Sequence, residues 1–195
     1  TTRKKGAMVS VLEEAKIGNS QILIGTQMIA KGHHFPKVTL VGVLDMDGGF
    51  FSADFRATER MAQLLVQVAG RSGREAQQGE VYLQTHHPDH PLLIKLLKEG
   101  YVAFAQTLLE ERQQAHLPPF SYLALFRAES VKENEPMNFL KKIAEDARRF
   151  MGKNVDILGP IPSTMQKKAG HYRWQLLLRS NQRPVLKEGL QQLLY

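Results

Sequence analysis

The sequence predicts an α/β protein in two parts: a parallel sheet flanked by helices over residues 1–116, then a smaller α+β domain over residues 117–195. Three observations carry that reading. In the first part, short apolar runs alternate with helically spaced segments, the pattern of parallel strands joined by crossover helices. A Leu117-Pro118-Pro119-Phe120 junction then interrupts the chain, and prolines there remove backbone donors and push the preceding residue out of the helical region. Beyond the junction both the element order and the charge balance change.

Residues 6–17 place Met8, Val9, Leu12 and Ala15 at helical spacing, and Gly18-Asn19 stops the pattern. Ile22-Leu23-Ile24-Gly25 is short and apolar, as a buried strand would be. Residues 38–44 (VTLVGVL) form a second such run, closed by Asp45 and Asp47. Residues 56–69 predict a helix broken at Gly70, and residues 80–84 (EVYLQ) a third strand. Ligands of parallel α/β sheets gather beyond the carboxyl ends of the strands, which puts residues 25–36 and 45–55 at the functional edge. Residues 91–115 are mostly helical, with Gly100 as an interior break. After the prolines, residues 122–128 predict a strand. Residues 137–151 predict a helix burying Phe139, Leu140, Ile143, Ala147 and Phe150. Residues 155–158 and 174–178 predict two further strands, and 185–194 a last helix. The order β-α-β-β-α is that of a ferredoxin-like unit that stops before its final strand.

Composition bounds the class. An apolar content of 43% supports packed cores and excludes a disordered chain. There is no Cys, which suits a reducing compartment and rules out a cysteine zinc site within these residues. No apolar run approaches the roughly 20 residues of a membrane span. The opening Thr1-Thr2-Arg3-Lys4-Lys5 is no signal peptide and reads as the start of a piece cut from a longer protein. The net charge of +7 is unevenly placed: residues 1–116 hold 13 Lys+Arg against 12 Asp+Glu, and residues 117–195 hold 13 against 7. A local basic excess points to a polyanion partner, with a merely soluble basic surface as the plainer alternative.

Two motifs carry chemistry. The first is Gln67-Val68-Ala69-Gly70-Arg71-Ser72-Gly73-Arg74. Two arginines three residues apart, each preceded by Gly, can fork onto phosphate oxygens from a backbone free to approach closely. An arginine on a γ-phosphate stabilises the charge of phosphoryl transfer. The second is residues 25–36 (GTQMIAKGHHFP), directly after the first apolar run. There Thr26 can donate to a phosphate and Gly32 permits a tight backbone near a ligand.

Together these stretches resemble motifs V and VI of superfamily 2 helicases. With residues 54–60 (DFRATER) and the Leu117–Phe120 junction, nearly the whole chain resembles the C-terminal part of the primosomal protein N′ family of replication restart helicases. The resemblance implies a partial second RecA-like helicase lobe followed by a ribosomal S10-like domain. It implies that Arg74 is the arginine finger, with Arg71 beside it in catalysis. Gln67, Gly70, Gly32 and His34 would meet ATP, and Thr26 and Lys31 would meet DNA. His34 stands where an acidic residue is common, Ser72 where Ala is usual, and Ser52-Ala53 lacks the proline often found there. The implied activity of the intact protein is ATP-dependent 3′→5′ unwinding at stalled forks, with Mg2+ and a structural zinc. The partners implied are forked and single-stranded DNA, primosome proteins and single-stranded DNA-binding protein, in the bacterial cytoplasm and with no membrane. The phosphate loop, the Mg2+-holding Asp-Glu box and the cysteine zinc element of the family lie upstream of Thr1. The fragment alone is therefore expected to be inactive toward ATP. Two readings of other classes stand beside this one: a nucleic-acid-binding module without a motor, and another superfamily 2 translocase.

In the tail, Lys167, Lys168, Arg173 and Arg179 surround Tyr172 and Trp174 and are candidate DNA contacts. On a strand, Tyr172, Trp174 and Leu176 share one face, which suits a core position for Trp174 better than a stacking platform. Lys141, Lys142, Arg148, Arg149 and Lys153 suit a solvated helix face. His86, His87 and His90 lie among prolines, so a capping loop is the better reading than converging metal ligands.

Overall fold

A computed structural model describes residues 21–26, 38–70 and 80–194, and in addition Val9, residues 13–15 and Ile17. The chain divides into two compact units, Thr1–Gln106 and Thr107–Tyr195.

In the first unit β1 (Leu40–Val43) pairs in parallel with β2 (Glu80–Leu83), Leu40 opposite Glu80 and Val43 opposite Leu83. A short helix α1 (Asp47–Phe50) follows β1, and α2 (Ala57–Ala69) makes the crossover. α2 buries Met61, Ala62, Leu65 and Val68, an i, i+1, i+4, i+7 stripe that puts one helical face toward the core. Its start is fixed by Asp54, whose carboxylate accepts from the Arg56 backbone N–H at 3.0 Å and from the Arg60 guanidinium at 3.1 Å. Gly49 lies so close to α2 that a Cβ there would sit 2.7 Å from Met61 Cβ. A glycine is what lets α1 and α2 touch. α3 (Pro91–Gln114) begins in this unit, where it buries Leu93, Leu96 and Phe104, and continues past the unit's end at Gln106; its helical path breaks at Gly100, φ 85°. Only glycine takes that left-handed φ without steric cost.

The predicted strand at residues 22–25 is not a strand. Residues 22–26 have no regular structure, and Ile22 and Ile24 are 79% and 87% exposed. An apolar run becomes a strand only when it finds a ladder and a cover, and among the described residues β1 and β2 pair only with each other.

The second unit is a two-layer α+β domain. β3 (Tyr122–Ser130), β4 (Asp156–Lys168) and β5 (His171–Ser180) form an antiparallel sheet in the order β3-β5-β4, so β5 is central. α4 (Asn134–Met151) and α5 (Arg183–Leu194) pack on one face. The core joins Leu140, Ala144, Ala147 and Met151 of α4 to Val155, Leu176, Leu178 and Leu186. Ser121 and Ser180, both buried, satisfy their hydroxyls on the His116 and Asn154 carbonyls. The order β-α-β-β-α and a sheet with β5 in the middle agree with the ferredoxin-like expectation. The predicted burial of Phe139 and Phe150 does not hold: they are 57% and 47% exposed. The α4 stripe that meets the sheet runs through positions 140, 144, 147 and 151, and each phenylalanine precedes one of these by a residue, about 100° around the helix.

The two faces of this sheet should differ in what a truncation costs. Leu176→Ala is expected to destabilise the second unit by roughly 2–5 kcal/mol. Leu125→Ala, on the open face, should cost under about 1 kcal/mol. Urea unfolding followed by far-ultraviolet circular dichroism measures both, and equal losses would contradict the assignment of one covered and one open face.

Candidate functional site

The carboxyl end of β1 carries a polar clasp. Asp45 takes a positive φ of 54°, which turns the chain so that Met46 is buried and Asp47 faces the end of β2. One Asp47 carboxylate oxygen accepts from the Thr85 hydroxyl at 2.5 Å and the other from the His86 backbone N–H at 3.0 Å. Thr85 accepts in turn from the His87 N–H at 3.0 Å. These donors, the Thr85 hydroxyl first, hold the Asp47 carboxyl below the usual carboxylate range. The Met46 N–H donates to the Gln84 carbonyl and continues the ladder past the strands. Both Asp47 oxygens are thus engaged within the fold.

The histidines beside this clasp act as packing groups. His90 stacks on Phe50 at 4.2 Å between centroids, and its Nδ1 accepts from the Leu92 N–H at 3.3 Å at the start of α3. His87 tilts against Phe51 at 4.7 Å. Among the described residues no group of three or more His, Asp or Glu converges as metal ligands would.

Of the helicase-like motifs, the described parts are their ends. Gly25 and Thr26 are exposed. Gln67 is half-buried on α2, its side-chain amide without a hydrogen-bond partner among the described residues, and Gly70 closes α2 by donating its N–H to the Val66 carbonyl at 3.0 Å. Lys31, Gly32, His34, Arg71 and Arg74 lie outside the described residues. β1 and β2 begin at the same edge, where the Glu80 N–H donates to the Thr39 carbonyl at 2.8 Å.

The tail's predicted DNA contacts separate into two kinds. Lys167 and Lys168 flank the tip of the β4–β5 hairpin, where Ala169 and Gly170 both take positive φ. Lys167 Nζ lies 3.1 Å from the Tyr172 hydroxyl and 4.4 Å from its ring centroid. Arg173 is on the face away from the helices, loosely paired through Nε with Glu129 at 3.4 Å. Arg179 is spent on the fold. Its Nε and Nη2 both reach Asp156 at 2.9 Å, and Nη1 donates to the Ala115 carbonyl at 3.1 Å. Trp174 packs against the core, its indole N–H buried and without a partner among the described residues. Sequence reasoning passed over Thr85, whose role depends on a contact 38 residues away. It also passed over Arg127, although strand alternation between Phe126 and Ala128 already turns it from the core.

Fold and motif ends together fit one class, the C-terminal lobe of a helicase joined to a second, basic α+β domain. Comparison with known proteins agrees in both parts. The family described as Helicase conserved C-terminal domain matches residues 2–76, and that described as Primosomal protein N C-terminal domain matches residues 113–195. The Replication restart protein PriA of Haemophilus influenzae is 50% identical over 192 residues, which is 98% of this chain and 26% of that protein. Those of Synechocystis and Bacillus subtilis are 38% and 37% identical over 92% and 100% of the chain and 22% and 24% of their own lengths. The chain belongs to the PriA family of replication restart proteins and spans about a quarter of the length of these relatives.

Asp47 yields a pH test. A carboxyl lowered in the folded state stabilises above its ordinary range and loses that contribution as pH falls through the lowered value. Asp47→Asn should therefore weaken the first unit at neutral pH, with the gap to the unsubstituted chain closing below about pH 4. Denaturant midpoints across pH measure it, and a pH-independent gap would show that the carboxylate's charge is not what the clasp uses.

Proposed function

We propose that this chain is the C-terminal segment of an ATP-driven 3′→5′ DNA helicase that restarts stalled replication forks in the bacterial cytoplasm and helps load the primosome. One observation carries the reading: a helicase C-terminal match and a primosomal C-terminal match fall in succession on one chain of 195 residues. A passive nucleic-acid binder has no use for the paired Gly-Arg steps of residues 70–74.

In this reading Arg74 is the finger on the γ-phosphate and Arg71 its companion. Gln67, Gly70, Gly32 and His34 belong to the nucleotide side, and Thr26 and Lys31 to the DNA side. ATP and Mg2+ are held between this lobe and another, because the chain has no G-x-x-x-x-G-K-[ST] phosphate loop. The clasp supports that division, since Asp47 already gives both carboxylate oxygens to Thr85 and His86. Zinc belongs elsewhere in the intact protein, since there is no Cys here to bind it. In the tail, Lys167, Lys168 and Arg173 meet forked or single-stranded DNA, while the ties of Arg179 to Asp156 and Ala115 leave it chiefly a structural role. Primosome proteins and single-stranded DNA-binding protein are the further partners.

The test is enzymatic. The chain alone should show no DNA-stimulated ATP hydrolysis. In the full-length protein Arg74→Ala should lower kcat by about 10³-fold or more while leaving DNA binding within a few-fold. Turnover by the chain alone, or an Arg74→Ala protein of normal kcat, would overturn the assignment.

A further inference from the structure

The face of the second unit's sheet opposite α4 and α5 is laid out in rungs. Register places Leu125, Leu177 and Leu158 side by side, then Arg127, Gln175 and Ile161, then Glu129 and Arg173, and last His171 and Lys168. All lie opposite in parity to Leu176 and Leu178 of the core. The leucine rung is open to solvent: Leu125 is 46% and Leu158 44% exposed, and Ile161 of the next rung 52%.

Beside Arg173 the sheet is broken on purpose. Pro162 pairs with Trp174 and Lys167 with Tyr172, so four residues of β4, numbers 163–166, oppose the single Arg173. Such a bulge re-aims side chains and ends regular pairing. Here it borders a cleft of ≈290 Å³ lined by Arg127, Glu129, Ser163 and Arg173, with Ala128 and Trp174. The Arg127 guanidinium has no hydrogen bond or ion pair among the described residues, and the Ser163 hydroxyl has none either. Arg173 meets Glu129 through Nε at 3.4 Å, which steadies the guanidinium, and its outer nitrogens have no partner among the described residues. Two guanidiniums against one carboxylate leave a single positive charge, which suits a singly charged phosphodiester better than a doubly charged phosphate monoester.

We infer that this open face is a binding track for single-stranded DNA, with one backbone phosphate seated between Arg127, Arg173 and the Ser163 hydroxyl and a base lying on the leucine rung. This rests on the proposed DNA-binding role of the tail and extends it to a face and to two residues not otherwise implicated. Guanidinium forks and a hydroxyl are the groups that hold phosphodiester oxygens. Same-face rungs are about 7 Å apart along a strand, a reach one nucleotide bridges from phosphate to base. A duplex keeps its bases stacked inside and would leave the apolar rung unused, whereas single strands offer base faces to such surfaces. The cations also repeat along the sheet, Arg127, Arg173 and then Lys168 at the hairpin tip, which fits an extended polyanion rather than a lone ion.

The test is fluorescence anisotropy of a labelled thymidine oligonucleotide with the 195-residue chain across salt concentrations, folding being checked by circular dichroism. Arg127→Ala should weaken binding about tenfold at low salt and reduce the slope of log affinity against log salt by about 0.7. Ser163→Ala should weaken binding severalfold, and Leu125→Ala should weaken it without changing the slope. Lys142→Ala, an equal charge change on α4, should stay within twofold. Unchanged binding by Arg127→Ala while the unsubstituted chain binds overturns the track but leaves the tail's DNA role standing. Failure of the unsubstituted chain to bind overturns both. Equal losses for Arg127→Ala and Lys142→Ala reduce the effect to net charge and overturn the track. Arg127-dependent binding of an acidic, Phe-containing peptide, with none of the oligonucleotide, reassigns the cleft to a protein partner.

Discussion

The second unit depends on the alternation of a single strand. β5 is paired along both edges, so its register is held by β3 on one side and β4 on the other. A slip of one residue would drive Arg173, Gln175 and Arg179 toward the helices and turn Leu176 and Leu178 out to water. Those two leucines are fully buried and meet α4 and α5, so the register also fixes where both helices can sit. The same constraint decides which groups the open face presents. Core and candidate interface are two sides of one strand, and neither can be altered in register without the other.

The first unit is held differently. Its two described strands are short and half-exposed, with Leu40 at 56% and Tyr82 at 62% exposure, so burial alone does not close their ends. Closure comes from directional polar contacts at the carboxyl edge: the Asp47 carboxylate across to Thr85 and His86, with the Met46 N–H on the Gln84 carbonyl. Phe50 and Phe51 then pack on the imidazoles of His90 and His87. Proximity in sequence made a cluster of His86, His87 and His90; in space two of the three rings face aromatic partners rather than one another.

Much of the fold was legible because periodicity survives without tertiary knowledge. The helix read over residues 56–69, the break at Gly100 and the end of the long helix before Pro118-Pro119 are all local signals, and the structure has each. Misreadings came where burial depends on a partner. Ile22 and Ile24 look like a strand by composition but have no ladder among the described residues. Phe139 and Phe150 look like core because they are apolar on an amphipathic helix, yet the stripe facing the sheet is only as wide as Leu140, Ala144, Ala147 and Met151. The candidate site shows the same division. Motif spacing pointed to the family, while the Asp47–Thr85 clasp and the bulge opposite Arg173 arise from register, which no local pattern reports.

Charge counting hides a further distinction. Arg127, Arg173 and Arg179 contribute equally to the basic excess of residues 117–195, yet their availability to a polyanion differs by geometry. Arg179 spends all three guanidinium nitrogens on Asp156 and the Ala115 carbonyl, joining β4 and β5 to the end of α3. Releasing it for a phosphate would leave Asp156 without its partner and break three contacts for one gained. Arg173 gives up one weak pairing at most, and Arg127 none among the described residues. In the proposed DNA-binding role a polyanion would therefore meet a surface already sorted by the fold, with the costly cation at one end of the sheet and the more available ones beside the bulge. On that reading the basic excess attracts at long range, while the sheet register determines where a phosphate would settle.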